Sequence, residues 1–277
     1  MRQSAFSAVL ALITGITLAF LAIPIVALFT EVPLRDVPGL LRTPAVRDAL
    51  AVTLRTNLIA NALILGFGTP TAWLIARRRF PGRSLVVTLV ELPLVLPPAV
   101  AGIGLLAAVG TGGLFGSALR DAGIELPFTE AAVVLAVAFV ASPFYIRQAI
   151  SAFESVDPNL TDAARTLGAG PGRTFWRIGL PLAASGLLAG WVLAFARGVG
   201  EFGATNIFAG NVRGQTQTLT LTIYEQLESS LDVALAIGVL LVVLSGGVLL
   251  SYKMLSTWRR SSSTSPSPFA RSSSASA

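Results

Sequence analysis

The sequence Asp162-Ala163-Ala164-Arg165-Thr166-Leu167-Gly168, followed by Ile178-Gly179-Leu180-Pro181, lies between two long apolar segments. Asp157-Pro158 can open a short helix, because Asp caps free N–H groups and Pro fits the first helical position. Gly168 can end it, since glycine tolerates positive φ, and Gly170-Pro171 can open a second helix. The pattern predicts a helix, a sharp turn and a second helix reaching Pro181. We interpret it as a docking device and not as an active site.

The composition is that of a polytopic membrane protein. Hydrophobic residues make up 53% and charged residues 12% of the chain, and the mean hydropathy is +0.74. These values do not describe a soluble globular domain. Cys and His do not occur in the sequence, which excludes disulfides, thiolate or imidazole metal sites and a His general base. We expect no catalytic site and no metal site.

Six apolar segments predict an all-α fold with six transmembrane helices. They cover residues 5–29, 57–76, 84–109, 131–150, 180–196 and 233–252. The first segment is longer than a signal peptide and no cleavage site of small residues follows it, so we expect it to be retained. Six spans place both termini on one side of the membrane.

The distribution of basic residues predicts which side that is. Thirteen Lys and Arg residues fall on the side of the termini and five on the other, with Arg55 and Arg197 at span edges. This count places Arg147 in the loop between the fourth and fifth spans. Because basic residues accumulate in the cytoplasm, both termini and the loop at 162–181 should be cytoplasmic, in a protein of the cell membrane. Dispersed over loops in this way, the net charge of +6 gives no indication of nucleic-acid binding.

Three regions follow from this reading. Residues 1–47 form an N-terminal span and external loop, 48–255 the membrane core, and 256–277 a tail rich in Ser that should be disordered. Within the long external segment at 197–232, Leu219, Ile223 and Leu227 recur at four-residue spacing and suggest a short amphipathic helix. Thr216, Thr218, Thr220 and Thr222 alternate instead, so periodicity leaves that assignment open.

Residues 168–174 resemble a phosphate-binding loop only superficially. The motif needs Gly at its first position and Lys before the Ser or Thr, where this chain has Leu167 and Arg173. Nucleotide binding by this chain is therefore not expected, and any ATPase that drives it must be a separate polypeptide.

A few charged and proline residues near the spans are candidate gate or pathway residues. Glu91 precedes Pro93, Pro97 and Pro98, which remove backbone donors and break or kink the helix. Such irregular backbone is tolerated where it lines a cavity, although a simple interfacial kink is the alternative. Arg197 and Glu201 are four residues apart and can pair, either to neutralise each other or to act at an external gate.

Several glycine and tryptophan residues have plainer explanations. Gly66, Gly68, Gly102 and Gly104 favour close helix packing. Trp73, Trp191 and Trp258 are better interpreted as interface anchors or packing residues than as ligand contacts.

The helix–turn–helix sequence resembles the cytoplasmic EAA loop of ABC importer permeases, through which an ATPase subunit drives the transmembrane helices. Asp162 stands where the family usually has Glu. The resemblance implies the type I ABC importer permease fold. It assigns ATPase coupling to Asp162, Ala163, Ala164, Leu167, Gly168, Ile178, Leu180 and Pro181.

A narrower resemblance is carried by the sequence RGVGEFGAT at 197–205, by Gly210-Asn211 and by QTQTL at 215–219, and extends over residues 48–255. These letters, with the run at 92–98, are similar to the molybdate permease family, which is related to the sulfate permeases. Thr220 departs from the Pro found in many relatives. The resemblance implies transport of molybdate or tungstate by alternating access, with Thr205, Asn206 and Asn211 as candidate transient contacts.

The same resemblance implies the partners. They are a second copy of this chain, two cytoplasmic ATPase subunits that use ATP and Mg, an external oxyanion-binding protein and the lipid bilayer; this chain itself would bind no cofactor. A sulfate or thiosulfate permease is the alternative within the family. Two alternatives come from other classes of protein. An ion-driven carrier or channel would need a buried ionisable relay, for which Glu91 and Glu201 are the main candidates. An assembly or sensor protein would leave the proline-rich third span unexplained.

Overall fold

Long uncharged stretches of this sequence form long helices, and Pro and Gly divide the remainder into short ones. The computed structural model describes residues 2–32 and 34–262, with side chains for 6–32 and 34–254. The helices are α1 (Arg2–Glu31), α2 (Val37–Leu40), α3 (Pro44–Arg77), α4 (Arg83–Val95), α5 (Pro98–Val109), α6 (Gly116–Asp121), α7 (Glu130–Glu154), α8 (Pro158–Thr166), α9 (Pro171–Thr174), α10 (Leu180–Val199), α11 (Gly203–Phe208), α12 (Leu219–Ser229) and α13 (Leu231–Ser262). A π-helical turn, Phe175–Gly179, joins α9 to α10.

Five helical segments of the described chain are long and apolar enough to cross a bilayer: Phe6–Glu31 of α1, α3, α7, the continuous segment Pro171–Val199 that ends with α10, and Leu231–Met254 of α13. The pair α4 and α5 passes the same test together but is bent by 117°. The bend falls at Leu96 and Pro97, where Pro97 and Pro98 lack the N–H groups that would continue the ladder. The predicted third span is therefore broken, as its prolines indicate.

Contacts at both ends of α3 and α7 show that these two helices run in the same direction. Arg55 on α3 pairs with Glu130 at the start of α7. At the other end, Arg77 Nη2 donates to Val156 O just beyond α7, at 3.0 Å. The chain must return between them, so the bent α4–α5 pair crosses the bundle once. We call the side that carries residues 155–179 the loop side and the opposite side the far side.

The remaining long helices complete six crossings among the described residues. Helix α10 starts at the loop side beside Trp73 and ends where Asn57 Nδ2 donates to Phe195 O. Helix α13 starts at the far side and returns, and Tyr252 Oη reaches Ser185 O at 3.4 Å. Leu28 of α1 approaches Gly238, so α1 ends at the far side. The beginning of α1 and the end of α13 therefore share the loop side.

Three apolar clusters hold the described part of the bundle together, and the smallest, formed by Val46, Ala49, Leu219 and Ile237, joins α3, α12 and α13. Of the two larger clusters, the far-side cluster joins α3, α5, α7 and α11, and the loop-side cluster joins α3, α7 and α10. Both are rich in Ala, which lets helix backbones approach closely. Gly68 packs against Tyr145 in this way, whereas Gly66 and Gly104 have open space around them.

Three sequence assignments are refined. Helix α12 covers Leu219, Ile223 and Leu227, so the helical interpretation of that segment is confirmed. Helix α13 extends to Ser262, so residues 256–262 are helical, while residues 263–277 of the predicted tail and the side chain of Trp258 lie outside the described residues. Arg147 lies within α7 and not in the following loop, because the helix continues to Glu154.

Candidate functional site

The segment after α7 folds into the predicted helix and sharp turn, but the second helix does not end at Pro181: it continues through the π-helical turn into α10, so that Pro171–Val199 is one helical segment. Asp157 Oδ1 accepts a hydrogen bond from Asn159 N at 2.9 Å and so caps α8, and Pro158 occupies its first turn. Gly168 follows α8 with φ of +83°. That left-handed conformation is readily adopted by glycine and strained for most other residues.

The surface of this loop exposes large apolar side chains on the loop side of the bundle. The Leu167 side chain is 88% exposed, and Leu160 and Trp176 are also exposed. Thr161 and Ala164 turn inwards and are buried. Exposed apolar residues at the tip of a short, capped helix are typical of a contact surface for another protein.

Aromatic stacking anchors the second half of the loop to the base of the spans. Phe175 of the π-helical turn contacts Trp73 of α3 edge to face, with 5.5 Å between ring centroids, and Trp73 contacts Phe153 of α7 at 5.1 Å. The Arg77 guanidinium lies 5.2 Å from the Trp73 ring centre. Trp73 is therefore a packing residue that joins three elements.

The predicted coupling residues divide between the two halves of this loop. Asp162, Ala163 and Ala164 lie on α8, Leu167 and Gly168 at its end, Ile178 in the π-helical turn, and Leu180 and Pro181 at the start of α10. The π-helical turn runs into α10 without an intervening loop. The turn and the span are therefore one continuous helical segment.

An ion pair between a partly exposed arginine and a buried glutamate lies at the far side, where α10 ends and α11 begins. Arg197 Nη2 is 2.6 Å from Glu201 Oε2, in a contact that is not aligned as a hydrogen bond, and the Glu201 side chain is 1% exposed. Glu201 Oε1 accepts from Ala204 N at 2.9 Å, and Thr220 Oγ1 donates to Glu201 O at 2.6 Å. One glutamate therefore joins α10, α11 and α12.

Helix α3 supports the same region through two polar side chains. Thr53 Oγ1 accepts from Leu219 N at 2.9 Å, which satisfies the first N–H of α12. Asn57 Nδ2 donates to Phe195 O at 3.1 Å, and its Oδ1 lies directly over Gly198. Both side chains are buried in a span, where unpaired polar groups are costly.

The proline bend is packed against α11. A Cβ atom at Gly203 would lie 2.8 Å from Pro98 Cβ, and one at Gly102 would lie 2.9 Å from Ala204 O. Helices α5 and α11 can approach this closely only because those two positions are glycine. The bend and the Arg197–Glu201 pair thus belong to one connected region at the far side.

A second arginine–glutamate pair lies nearer the loop side, between α4 and α7. Arg147 Nε is 3.2 Å from Glu91 Oε1, with the side chains 60% and 38% exposed. Arg83 and Glu154 form a further pair at 2.7 Å, two helical turns closer to the loop. Helices α4 and α7 are antiparallel, and each contributes one arginine and one glutamate to the two pairs along their contact, which we call the α4–α7 seam.

The structure does not bring all the predicted gate and pathway residues together. Arg197, Glu201 and Thr205 are grouped at the far side, where Thr205 is fully buried and its hydroxyl has no hydrogen-bond partner among the described residues. Asn206, Asn211, Pro97 and Pro98 are exposed. Glu91 stands apart, on the seam with Arg147.

The predicted pairing of Arg197 with Glu201 is confirmed, but sequence reasoning missed Arg147 as the partner of Glu91. The charge of Arg147 inside an apolar run was a signal, since such charges are costly in hydrocarbon and imply a partner. Thr53 and Asn57 gave no comparable signal, because uncharged polar residues cost less than charged ones in a span.

The sequence matches the family described as "Binding-protein-dependent transport system inner membrane component" over residues 68–261. The chain is similar to the "Molybdenum transport system permease protein ModB" of Mycobacterium bovis, with 42% identity over 84% of this chain and 88% of that protein. It is also similar to "Sulfate permease 2, chloroplastic" of Chlamydomonas reinhardtii, with 39% identity over 74% of this chain and 56% of that protein.

Among solved structures, the fold is similar to a chain of a bacterial alginate ABC transporter in complex with alginate pentasaccharide-bound periplasmic protein. The TM-score is 0.72, and the match covers 92% of this chain and 94% of that chain at 17% identity. At that identity the likeness concerns the fold alone.

Proposed function

We propose that this chain, which belongs to the family of binding-protein-dependent transport system inner membrane components, carries molybdate or tungstate across the cell membrane as the permease subunit of an ATP-driven ABC importer. The observation that carries the proposal is the loop at 158–179, which is capped, apolar at its tip and continuous with a span. An ion-driven carrier or a channel has no need of such a loop.

The loop side faces the cytoplasm in this proposal. Arg77, Arg83, Arg165, Arg173 and Arg177 all lie there. Basic residues accumulate on the cytoplasmic side of membrane proteins. Both ends of the described chain then lie in the cytoplasm, and a cytoplasmic ATPase can reach Leu167.

The partners follow from the family and from the exposed surfaces. Two copies of this chain form one pathway, two separate ATPase subunits bind α8 and the turn after it and hydrolyse ATP with Mg, and an external binding protein delivers the oxyanion. A chain of the same fold has been solved in an ABC transporter in complex with a periplasmic protein, which agrees with an external binding protein as a partner.

The geometry supports alternating access as the mechanism. Closure of the ATPase pair pushes α8, and the movement passes through Phe175 and the π-helical turn to α10 and, through Trp73, to α3. At the far side, where α3 begins and α10 ends, Asn57 and Thr53 connect α3 to the Arg197–Glu201 region. Movement at the loop thereby changes packing at the external end of the spans.

ATP hydrolysis by the reconstituted complex tests the function. The chain is assembled in nanodiscs with its ATPase, and binding protein is added after loading with molybdate, tungstate or sulfate. Stimulation by molybdate or tungstate and not by sulfate is expected. Stimulation by sulfate alone would favour a sulfate permease, the second candidate, which the similarity to a chloroplast sulfate permease supports. Failure to assemble with any ATPase would overturn the importer proposal.

A further inference from the structure

Arg147 is a charged residue well inside a span. It lies seven residues before the end of α7 at Glu154, about 10 Å along the helix at roughly 1.5 Å per residue. Its side chain is 60% exposed. A guanidinium at this depth is costly when it faces hydrocarbon, so it must face water or protein.

The face of α7 that carries Arg147 changes character along its length. Ala136, Val140 and Pro143 are buried on this face in the half nearer the far side, whereas Arg147 and Ser151 are exposed in the half nearer the loop. These positions recur at three- and four-residue spacing and so form one stripe. The stripe is buried towards the far side and exposed towards the loop side.

The helix that supplies the counterion of Arg147 is loosely held. No residue of α4 is buried, and α4 packs mainly against α7. Two ion pairs, Glu91–Arg147 and Arg83–Glu154, join these helices. Exposed ion pairs contribute little to stability, so Glu91 can leave Arg147 without disrupting a packed core.

We propose that Arg147 is an anion site in the cytoplasmic half of the pathway, and that Glu91 occupies this site when no oxyanion is present. The inference rests on the proposed function. The ligand class is a tetrahedral oxyanion with two negative charges, whose oxygen atoms accept hydrogen bonds but cannot donate them.

The chemistry of the pair suits transient binding. A guanidinium presents several N–H donors in one plane and keeps its charge, which matches the oxygens of such an anion. The incoming anion displaces the Glu91 carboxylate, and the return of Glu91 helps the anion leave. Competition of this kind keeps affinity low, as a site on a transport route requires.

Because the sequence contains no cysteine, cysteine accessibility tests the site without measuring transport. Ser151→Cys places one thiol a single turn from Arg147. The variant, assembled with its ATPase in nanodiscs, is treated with a neutral thiol reagent, with and without molybdate, tungstate or sulfate at constant ionic strength. We expect labelling, and we expect molybdate to slow it.

Three further changes in the Ser151→Cys background assign the effect to the pair. Arg147→Gln should raise the molybdate concentration for half-maximal protection by about tenfold or more, as expected for loss of a charge-assisted contact. Glu91→Gln should lower that concentration, because the competitor is gone. For Arg147→Lys, the molybdate concentration for half-maximal protection should lie between the values for the parent Ser151→Cys protein and for Arg147→Gln. Arg147→Lys replaces Arg147→Gln in the comparison if Arg147→Gln does not fold. As a control, Arg83→Gln, which loosens the same seam, should leave protection unchanged.

The outcomes separate this inference from the proposed function. An unreactive thiol, equal protection by potassium chloride, or equal protection with Arg147 and with Gln at position 147 would overturn the anion site. If the same complex takes up molybdate but molybdate does not slow labelling of the thiol at position 151, the anion site is rejected and the proposed function stands. Protection by sulfate alone would leave the site standing and reject the molybdate assignment.

Discussion

Gly179 packs directly against the indole ring of Trp73, so that a Cβ atom at position 179 would be 2.4 Å from Trp73 Cζ3. This contact joins the end of the π-helical turn to α3 at the point where the loop meets the spans. Trp73 is in turn fixed by Phe153 and Phe175. The turn is therefore packed tightly against α3 and, through Trp73, against α7.

Substitution of Gly179 should damage both packing and coupling. Gly179→Ala forces the indole or the turn to shift, and overpacking of this kind costs about 1–3 kcal/mol. We expect a lower melting temperature in detergent and a lower ratio of transport to ATP hydrolysis. Gly172→Ala is the matched control, because position 172 has open space around it. Equal behaviour of the two variants would contradict the role of this contact.

At Gly168, a substituted residue should be tolerated if it can adopt the left-handed backbone conformation, whatever the size of its side chain. Gly168 has φ of +83°, and a Cβ atom added there would meet no other atom within 4 Å, so strain is the only penalty for a side chain in the free subunit. Gly168→Asn should retain coupling, since Asn adopts the left-handed region most readily after Gly. Gly168→Val should uncouple ATP hydrolysis from uptake.

The control for this series is Gly170→Val, at a glycine whose φ of −66° suits any residue. Uptake and ATPase activity are compared at equal abundance in the membrane. Unaltered uptake in Gly168→Val would reject the turn as a coupling element.

Removal of Arg197 should destabilise the far side strongly. Arg197→Gln leaves the buried Glu201 carboxylate without its counterion, which typically costs about 3–5 kcal/mol. The double variant Arg197→Gln/Glu201→Gln should recover part of that loss. Arg213→Gln breaks the exposed pair with Asp48 and should cost at most about 1 kcal/mol. Thermal unfolding measures the stability of these three variants and of Glu201→Gln. If the stability lost in the double variant equals the sum of the losses in the two single variants, the two residues are not coupled.

Thr53 should stabilise α12 through a single acceptor. Thr53→Val keeps the shape but removes the oxygen that accepts from Leu219 N, and an unsatisfied buried donor costs about 1–3 kcal/mol. Hydrogen exchange at the first amides of α12 should quicken in Thr53→Val and stay slow in Thr53→Ser. Identical exchange in both variants would show that the cap does not hold the helix.

Much of the fold could be predicted from local chemistry. Apolar length identified the spans, Asp157-Pro158 and Gly168 located the ends of α8, and the prolines at 97 and 98 located the break in the third span. Each of these features depends on residues close together in the sequence. The 117° angle of the bend depends instead on packing against α11, which local pattern does not encode.

The candidate site was less accessible to sequence reasoning. Glu91 and Arg197 stood out as charges in apolar surroundings, but the pairing of Glu91 with Arg147 requires α4 and α7 to be antiparallel and in register. The π-helical turn carries no local signature that separates it from an α-helical start of the fifth span. Its role becomes visible only through the contact of Gly179 with Trp73.

Uptake of radiolabelled molybdate into proteoliposomes tests the central claim most directly. The vesicles contain this chain with its ATPase, binding protein is added outside, and ATP with Mg is enclosed on the loop side. We predict uptake that requires ATP and binding protein and is lost in Gly168→Val while ATP hydrolysis continues. Uptake without ATP, or uptake of sulfate in place of molybdate, would contradict the account.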